Sequence, residues 1–283
     1  MTRAWLILAD ILVTLLLLFS FTLLYLYHQK EIEKKPTPFS IIIPEQNMTF
    51  KTQIEQNSTM SYEEFMSMAD NQIIESIIVN KFLDDTLDER LTELKVKVGD
   101  DILVRIFKKE SILEVWIDSG SEYKHLKDYN ICAYSGDLGP KLKEGDRQSP
   151  EGFYRVNKNN LNPNSKFYLS FNLGYPNRYD RQHGRTGSFL MVHGNCVSIG
   201  CYAMTDEKIE EIYALVKGAL YKGQKYVPVH IYPFRMSEEN MATYSENRWY
   251  DFWANLKEGY DYFEAEHLPP RVNVENGLYV FSD

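Results

Sequence analysis

The sequence is short of cysteine and has no excess of positive charge. Its 283 residues include three cysteines, too few for the disulfide framework that stabilises small secreted domains. Lysine and arginine number 31 against 40 acidic residues, which gives a formal net charge of −9, and the sequence shows no basic patch. Because nucleic-acid-binding domains present clustered positive charge, we expect no nucleic-acid partner. The 44% of hydrophobic residues is enough for a proper core, and the length suggests one or two domains.

Small residues are missing from the end of the N-terminal apolar run, residues 4–27. A cleaved signal peptide needs a small-residue cleavage site there, and residues 21–30 offer none. At about 1.5 Å per residue, the run is long enough to cross a bilayer core of roughly 30 Å. The sequence therefore predicts an uncleaved transmembrane helix. Basic residues flank it on both sides, so the positive-inside rule does not orient it.

From residue 99 onward the hydrophobic pattern has mostly a period of two. Residues 102–107 and 112–117 alternate as two paired strands do, and residues 227–232 predict a further strand. Thr205 is a candidate N-cap, followed by apolar residues at helical spacing up to Gly223. Residues 237–263 predict an aromatic-rich helical stretch, and residues 273–281 a small hairpin. The predicted fold class is α+β, mainly β with flanking helices.

One stretch, residues 189–204 (FLMVHGNCVSIGCYAM), carries the chemistry. An apolar strand runs directly into His193 and Gly194, and Cys201 follows Gly200 a few residues later. Histidine can accept a thiol proton near neutral pH, and the thiolate that remains is a strong nucleophile. Glycine before the cysteine permits a tight turn and keeps side-chain bulk away from an approaching carbonyl.

This pattern resembles the catalytic motif of the L,D-transpeptidase family, also called YkuD-like, in which a strand ending in His-Gly is followed by Ser-x-Gly-Cys. Here the motif reads His193-Gly194 and then Ser198-Ile199-Gly200-Cys201. The Cys-Tyr-Ala-Met ending and a later Pro-Phe-Arg at 233–235 are most similar to the YafK-like branch. Residues 149–152 (SPEG) resemble the family's Thr-Pro-x-Gly element, for which a turn is the expected role.

The resemblance implies a β-sandwich catalytic domain and a peptidoglycan substrate, with no cofactor and no metal. Cys201 is then the nucleophile that forms a thioester at the L-centre of meso-diaminopimelate in a stem peptide. His193 is the proton donor and acceptor, the backbone N–H groups of Gly200, Cys201 or Tyr202 form an oxyanion hole, and Ser198 supports the loop. The residues expected to contact substrate are Gly194, Tyr202, Arg185 and Arg235.

Several alternatives stay open. Transfer of the acyl group to an amine gives transpeptidation, whereas transfer to water gives L,D-carboxypeptidase action or release of a peptidoglycan-linked lipoprotein. Many family members carry a polar residue where this chain has Ile199 and another where it has Ala203, which leaves the acceptor undecided. A peptidoglycan-binding scaffold with an inactive site is a further reading. His183, also followed by glycine, is a second candidate base, but it lies in the long polar loop predicted for residues 172–187.

Two further hypotheses concern the cysteines. Zinc binding by His193, Cys196 and Cys201 is disfavoured because no paired Cys-x-x-Cys supplies a fourth ligand. Cys132 and Cys196 could pair in an oxidising compartment, although two buried free thiols are the default expectation.

The predicted organisation has five parts. They are a transmembrane anchor (4–27), a linker (28–60), a helical membrane-proximal segment (61–98), a catalytic domain (99–235) and a C-terminal extension (236–283). The resemblance implies an inner-membrane protein with its catalytic domain in the periplasm.

Overall fold

The structure, a computed structural model, describes residues 85–282. These residues contain helices α1 (Asp85–Leu94), α2 (Arg178–Gln182), α3 (Asp206–Lys222), α4 (Glu238–Thr243) and α5 (Tyr250–Glu266). The strands are β1 (Ile102–Phe107), β2 (Ile112–Asp118), β3 (Tyr123–Asn130), β4 (Gly152–Val156), β5 (Leu161–Ser165), β6 (Tyr168–Asn172), β7 (Met191–His193), β8 (Tyr202–Ala203), β9 (Val227–Tyr232), β10 (Arg271–Glu275) and β11 (Leu278–Ser282).

Strand β1 is the centre of a five-stranded sheet with the order β3-β2-β1-β9-β4. It runs antiparallel to β2 and parallel to β9. Successive side chains of a strand point to opposite faces, yet all six residues of β1 are buried. The reason is that both faces are covered. Val104 and Ile106 join one hydrophobic cluster, and Phe107 joins another.

The second sheet has four strands in the order β5-β6-β7-β8 and carries the catalytic motif. Its buried residues Phe171 and Val192 share one core with Ile231 of the first sheet and with Ile212 and Val216 of α3. Two sheets and one long helix therefore enclose the same hydrophobic core. This arrangement confirms the α+β class.

The C-terminal extension covers the outer face of the five-stranded sheet. Trp253 and Leu256 of α5 are fully buried against Phe107 and Tyr232. The hairpin β10–β11, predicted from the sequence, adds Tyr279 to the same cluster. Because burying one large apolar side chain contributes roughly 1.5–3 kcal/mol, this extension is part of the folded unit and not an appendage.

A buried ion pair links the end of β1 to the start of β4. Lys108, directly after β1, and Glu151, directly before β4, are both fully buried, with Nζ 3.1 Å from Oε1. Glu151 also accepts hydrogen bonds from the backbone N–H of Gly139 (2.6 Å) and from Trp253 Nε1 (2.8 Å). Lys108 Nζ donates to three carbonyl oxygens, those of Asp137, Gly139 and Ser149. The pair thus holds the segment between β3 and β4 against the sheet and α5.

Two sequence predictions need correction. Residues 172–187 were expected to be a long polar loop, but they contain α2, whose N-cap Asn177 accepts a hydrogen bond from the backbone N–H of Asp180. Helical periodicity is hard to see in five residues. The stretch 237–263 forms two helices, α4 and α5, because residues 244–249 turn between them.

The predicted anchor (4–27), the linker (28–60) and most of the segment 61–98 lie outside the described residues. Within 85–282, no helix combines the length and the apolar character that crossing a bilayer requires. The membrane anchor and the five-part division of the chain stay predictions.

The buried pair gives a test of the fold. Replacing Lys108 with Met leaves the Glu151 carboxylate buried without a counter-charge, so we expect the free energy of unfolding to fall by about 3–5 kcal/mol. The control is Lys257→Met. Lys257 pairs with Asp261, a half-exposed carboxylate, so this substitution should lower the free energy of unfolding by less than about 1 kcal/mol. Urea unfolding of the purified variants measures both. Equal losses in the two variants would contradict the role given to Lys108.

Candidate active site

The candidate active site is built on the parallel pairing of β7 with β8. Val192 lies opposite Tyr202, and His193 lies opposite Ala203. Strand β8 begins at Tyr202, so Cys201 is the last residue of the loop that leads into it. The pairing therefore makes neighbours of the two chain segments that carry the predicted base and the predicted nucleophile.

His193 is held as the neutral tautomer that can act as a base. Its Nδ1 lies 2.6 Å from the carbonyl oxygen of Gly194, so Nδ1 carries the proton and Nε2 is the acceptor. The ring is 2% exposed and packs against Phe167, with ring centroids 4.6 Å apart. Burial lowers the pKa of His193, and the bond to Gly194 opposes this only in part. The imidazole is therefore uncharged at neutral pH.

Cys201 is the one free cysteine, and its resting form is the thiol. Burial raises its pKa above the ordinary value, while the backbone N–H of Met191 and the charge of Lys141 pull it down less strongly. The Sγ atom lies 3.5 Å from the carbonyl oxygen of Phe189, which can accept the S–H proton. Because the thiolate is the reactive form, a thiol that rests neutral needs a base to accept its proton.

Two serine hydroxyls fix the backbone at the nucleophile. Ser198 Oγ donates to the carbonyl oxygen of Cys201 at 2.7 Å, and Ser149 Oγ donates to the same oxygen at 3.2 Å. The supporting position predicted for Ser198 agrees with this geometry. Ser149 was missed, because its SPEG element was assigned only a turn. The resemblance of that element to a family motif was the signal that pointed to it.

One of the three backbone donors predicted for the oxyanion hole is already engaged within the protein. Gly200 was predicted to supply a backbone donor, but its N–H donates to Ser198 Oγ at 3.1 Å. Its φ of +147° instead explains why glycine is required there. The neighbouring N–H of Cys201 becomes the candidate donor.

Gly194 has a steric role. A Cβ atom there would lie 2.6 Å from Asp206 Oδ1 and 3.0 Å from the carbonyl oxygen of Phe167. The same Asp206 oxygen accepts the backbone N–H of Asn195 at 2.8 Å, so the loop is tied to the start of α3. Glycine is what allows the chain to pass this close while its carbonyl orients His193.

A disulfide ties the loop between His193 and Cys201 to Cys132. Cys132 and Cys196 are bonded, with Cα atoms 5.2 Å apart, so the expectation of two free thiols is wrong. Asn195 and Cys196 both have positive φ, which non-glycine residues adopt only when their surroundings hold them there. A bonded Cys196 has no thiolate to offer, and this rules out the zinc reading that included it.

Two predicted substrate contacts are corrected by their burial. The Tyr202 side chain is fully buried, and its hydroxyl donates to the carbonyl oxygen of Pro150 at 2.7 Å. The Arg185 side chain is also buried, and its Nη1 lies 2.9 Å from Asp180 Oδ1. Neither polar group is presented to a ligand. Both stabilise the scaffold behind the site.

Arg235 and His183 lie on other parts of the fold. Arg235 is half-exposed, pairs with Glu114 of β2 at 2.6 Å, and so belongs to the five-stranded sheet. His183 Nε2 lies 2.8 Å from the carbonyl oxygen of Gly277 in the hairpin, and its ring stacks on Tyr179. The alternative base is thus engaged elsewhere, which favours His193. A substrate role for Arg235 stays a prediction without a contact to the site.

The described residues include one group spaced like metal ligands, Glu114, His125 and Asp128. Glu114 is already neutralised by Arg235, and its Oε2 accepts a hydrogen bond from Trp116 Nε1 at 2.8 Å. The group is therefore explained by contacts within the protein.

Three exposed apolar side chains belong to the segments next to the nucleophile, two of them to the loop that leads to Cys201, and they are here called the rim. Phe189 is 72% exposed, Val197 53% and Ile199 81%. Lys141 lies behind them, 2.5 Å from Asp146. The rim of the site is apolar, and the charge near it is already paired.

Comparisons with known proteins point to the same family as the sequence motif. The profile of the L,D-transpeptidase catalytic domain, YkuD, matches residues 101–231. YafK of Escherichia coli K12, whose description assigns it provisionally to the L,D-transpeptidases, is 52% identical over 185 residues, 65% of this chain and 75% of YafK. YafK of E. coli O157:H7 matches equally well.

Solved structures are more distant. The helical cell shape determining protein Pgp2 of Campylobacter jejuni is 19% identical, with 67% of this chain and 80% of that one covered and a TM-score of 0.38. Bd1075 of Bdellovibrio bacteriovorus is 17% identical, with 63% and 78% covered and a TM-score of 0.34. Both TM-scores are below 0.5.

The neutral resting pair predicts a particular pH dependence. Alkylation of Cys201 by iodoacetamide should rise about tenfold per pH unit from pH 6 to pH 8, because only the thiolate reacts and the pKa of the thiol is raised. Intact-mass spectrometry follows the single adduct, and Cys201→Ala gives the background. A rate already at its plateau at pH 5–6 would reveal a thiolate–imidazolium pair instead.

The disulfide predicts a loss of stability on its removal. Cys132 and Cys196 are 64 residues apart, and closing a loop of that length restricts the unfolded chain by roughly 4 kcal/mol. A Cys132→Ser/Cys196→Ser variant should lose about that much in urea unfolding. Cys201→Ala, which removes a free thiol, should change stability by less than about 1 kcal/mol. A double variant as stable as the wild type would show that the bond does not hold the loop.

Proposed function

Because this chain belongs to the family of L,D-transpeptidase catalytic domains, we propose that it is a cysteine acyltransferase that acts on peptidoglycan stem peptides. The family supports an enzyme with a peptidoglycan substrate. The observation that carries the finer proposal is the β7–β8 pairing, which lays the segment ending in His193 beside the segment that directly follows Cys201. His193 meets the needs of a general base because its Nδ1 is occupied by Gly194 and Nε2 is available.

The acylation step uses both side chains. The Cys201 thiol gives its proton to His193 Nε2 as the sulfur attacks the carbonyl carbon of the L-centre of meso-diaminopimelate. The tetrahedral intermediate collapses, the bond to the leaving amine breaks, and His193 returns the proton to that amine. The product is a thioester between Cys201 and the stem peptide.

Deacylation runs the same steps in reverse with a new nucleophile. An incoming amine gives its proton to His193, attacks the thioester carbon and forms a new amide, which releases the Cys201 thiolate to be reprotonated. Water in place of the amine gives a free carboxylate. The Cys201 backbone N–H, fixed by the two serine hydroxyls on its own carbonyl, is placed to stabilise the oxyanion in both steps.

A second candidate function is cleavage or formation of the link between diaminopimelate and a peptidoglycan-linked lipoprotein. The observation that favours it is the apolar rim formed by Phe189, Val197 and Ile199. Exposed apolar side chains around a site suit a polypeptide partner better than a sugar or a short polar peptide. Ile199 stands where many family members have a polar residue, which fits a changed acceptor.

The disulfide also supports the proposed location. Disulfides persist in oxidising compartments such as the periplasm, where peptidoglycan is accessible. We therefore propose that residues 85–282 face the periplasm and that the N-terminal apolar run anchors the chain in the inner membrane.

The test is incubation of the full-length protein with a soluble disaccharide tetrapeptide, followed by mass spectrometry. A cross-linked dimer demonstrates transfer to an amine, whereas loss of the terminal D-residue alone demonstrates hydrolysis. A parallel arm uses sacculi that carry covalently bound lipoprotein and measures released protein. Cys201→Ala should be inactive in every arm, and His193→Gln should lose about 10²–10⁴ in rate.

The same experiment tests the hypothesis that the chain is a peptidoglycan-binding scaffold with an inactive site. If wild type and Cys201→Ala give identical muropeptide profiles in all arms, the chain is not an acyltransferase on these substrates. Thermal unfolding of both proteins confirms that they are equally folded.

A further inference from the structure

A second cleft lies on the five-stranded sheet and the C-terminal hairpin, away from the motif. Its volume is about 620 Å³, and neither Cys201 nor His193 lines it. Its walls come from β4, β9, the hairpin strand β10 and the turn that precedes α2. The size is within the usual range for small-ligand sites, which are clefts of about 300–1,000 Å³.

The cleft concentrates positive charge in an acidic protein. Five basic residues line it, whereas Asp101 is its one acidic lining residue, and the whole chain has a formal net charge of −9. Burial and the neighbouring Asp118 raise the pKa of Asp101. The basic residues are Arg155, Arg178, Arg181, Lys225 and Arg271.

These cations are not neutralised by the protein. Among residues 85–282, none of the five forms an ion pair with a carboxylate. Arg155 donates to the carbonyl oxygen of Val272 at 2.9 Å and lies over the ring of Tyr226, which fixes its guanidinium in place. Arg178, Lys225 and Arg271 are exposed and keep their donors available.

A buried imidazole nitrogen and two aromatic rings complete the lining. His230 is 1% exposed, and its Nδ1 has no hydrogen-bond partner among the described residues. Burial, together with the charges of Arg105 and Arg155, lowers the pKa of His230 to about 3, so its imidazole is neutral. Phe153, which packs against the His230 ring, and Tyr226 add apolar faces. A buried polar atom left without a partner is costly, and a ligand that bonds it removes the cost.

We propose that this cleft is a second binding site for carboxylate groups of peptidoglycan stem peptides, separate from the catalytic site and used to hold the enzyme on the polymer. The inference rests on the function proposed above. Arginine recognises carboxylates through paired donors, and stem peptides carry free carboxylates. The catalytic rim, by contrast, is apolar and offers few free charges.

The shape of the site favours a polymer segment over a membrane surface. A lipid-binding patch is typically a basic amphipathic face with apolar side chains that insert between headgroups. Here the cations line a concave cleft, and the aromatic residues Phe153 and Tyr154 within it are buried.

The test uses full-length protein carrying Cys201→Ala, so that binding is measured without turnover. Arg178→Gln, Lys225→Gln and Arg271→Gln are combined, and co-sedimentation with purified sacculi gives the dissociation constant. We expect binding to weaken about tenfold, because three exposed charge contacts are lost. The control combines Lys95→Gln, Lys97→Gln and Arg248→Gln, which removes the same charge from exposed positions outside the cleft.

A second arm separates this inference from the catalytic proposal. With Cys201 intact, the cleft variant should process the soluble disaccharide tetrapeptide at the wild-type rate. If wild type does not process it while the cleft variant still loses sacculus binding, the proposed function fails and the cleft assignment stands. Unchanged sacculus binding in the cleft variant overturns the cleft assignment. So does a loss seen only with vesicles of anionic phospholipid, or an equal loss in the control.

Discussion

The parallel contact between β7 and β8 is the constraint on which the catalytic account depends. Parallel neighbours in a sheet usually need a crossover of a dozen or more residues. Here the connection consists of residues 194–201 alone, and it contains positive φ angles at Asn195, Cys196 and Gly200. Such a short connection has few conformations that satisfy the register. The register then fixes where Cys201 stands relative to His193.

Contacts from distant parts of the chain hold this connection in place. The disulfide ties it to Cys132, and Asp206 at the start of α3 binds the N–H of Asn195. Ser149 bonds the carbonyl of Cys201 and is itself placed by the segment that the Lys108–Glu151 pair secures. The active site therefore rests on a buried charge pair in the other sheet, which links catalytic geometry to global stability.

Local patterns in the sequence predicted much of this. Features that depend on neighbours along the chain were predicted. They are the alternation in β1 and β2, the helix after Thr205, the C-terminal hairpin, and a short loop between His193 and Cys201. The errors concern partners that are far apart. No residue near Arg185 in the sequence indicates that α2 brings Asp180 into contact with it. No local pattern decides whether Cys196 is a free thiol or is bonded to Cys132. Tyr202 was misjudged because a motif position does not reveal which face of a strand is buried.

The measurement that tests the central claim most directly is the intact mass of the protein after brief incubation with a stem-peptide substrate and rapid acid quenching. The account predicts a mass increase equal to the acyl stem peptide, located on Cys201 and removed by neutral hydroxylamine, as a thioester is. Product formation without any adduct on Cys201, or with an adduct on a different residue, would contradict it.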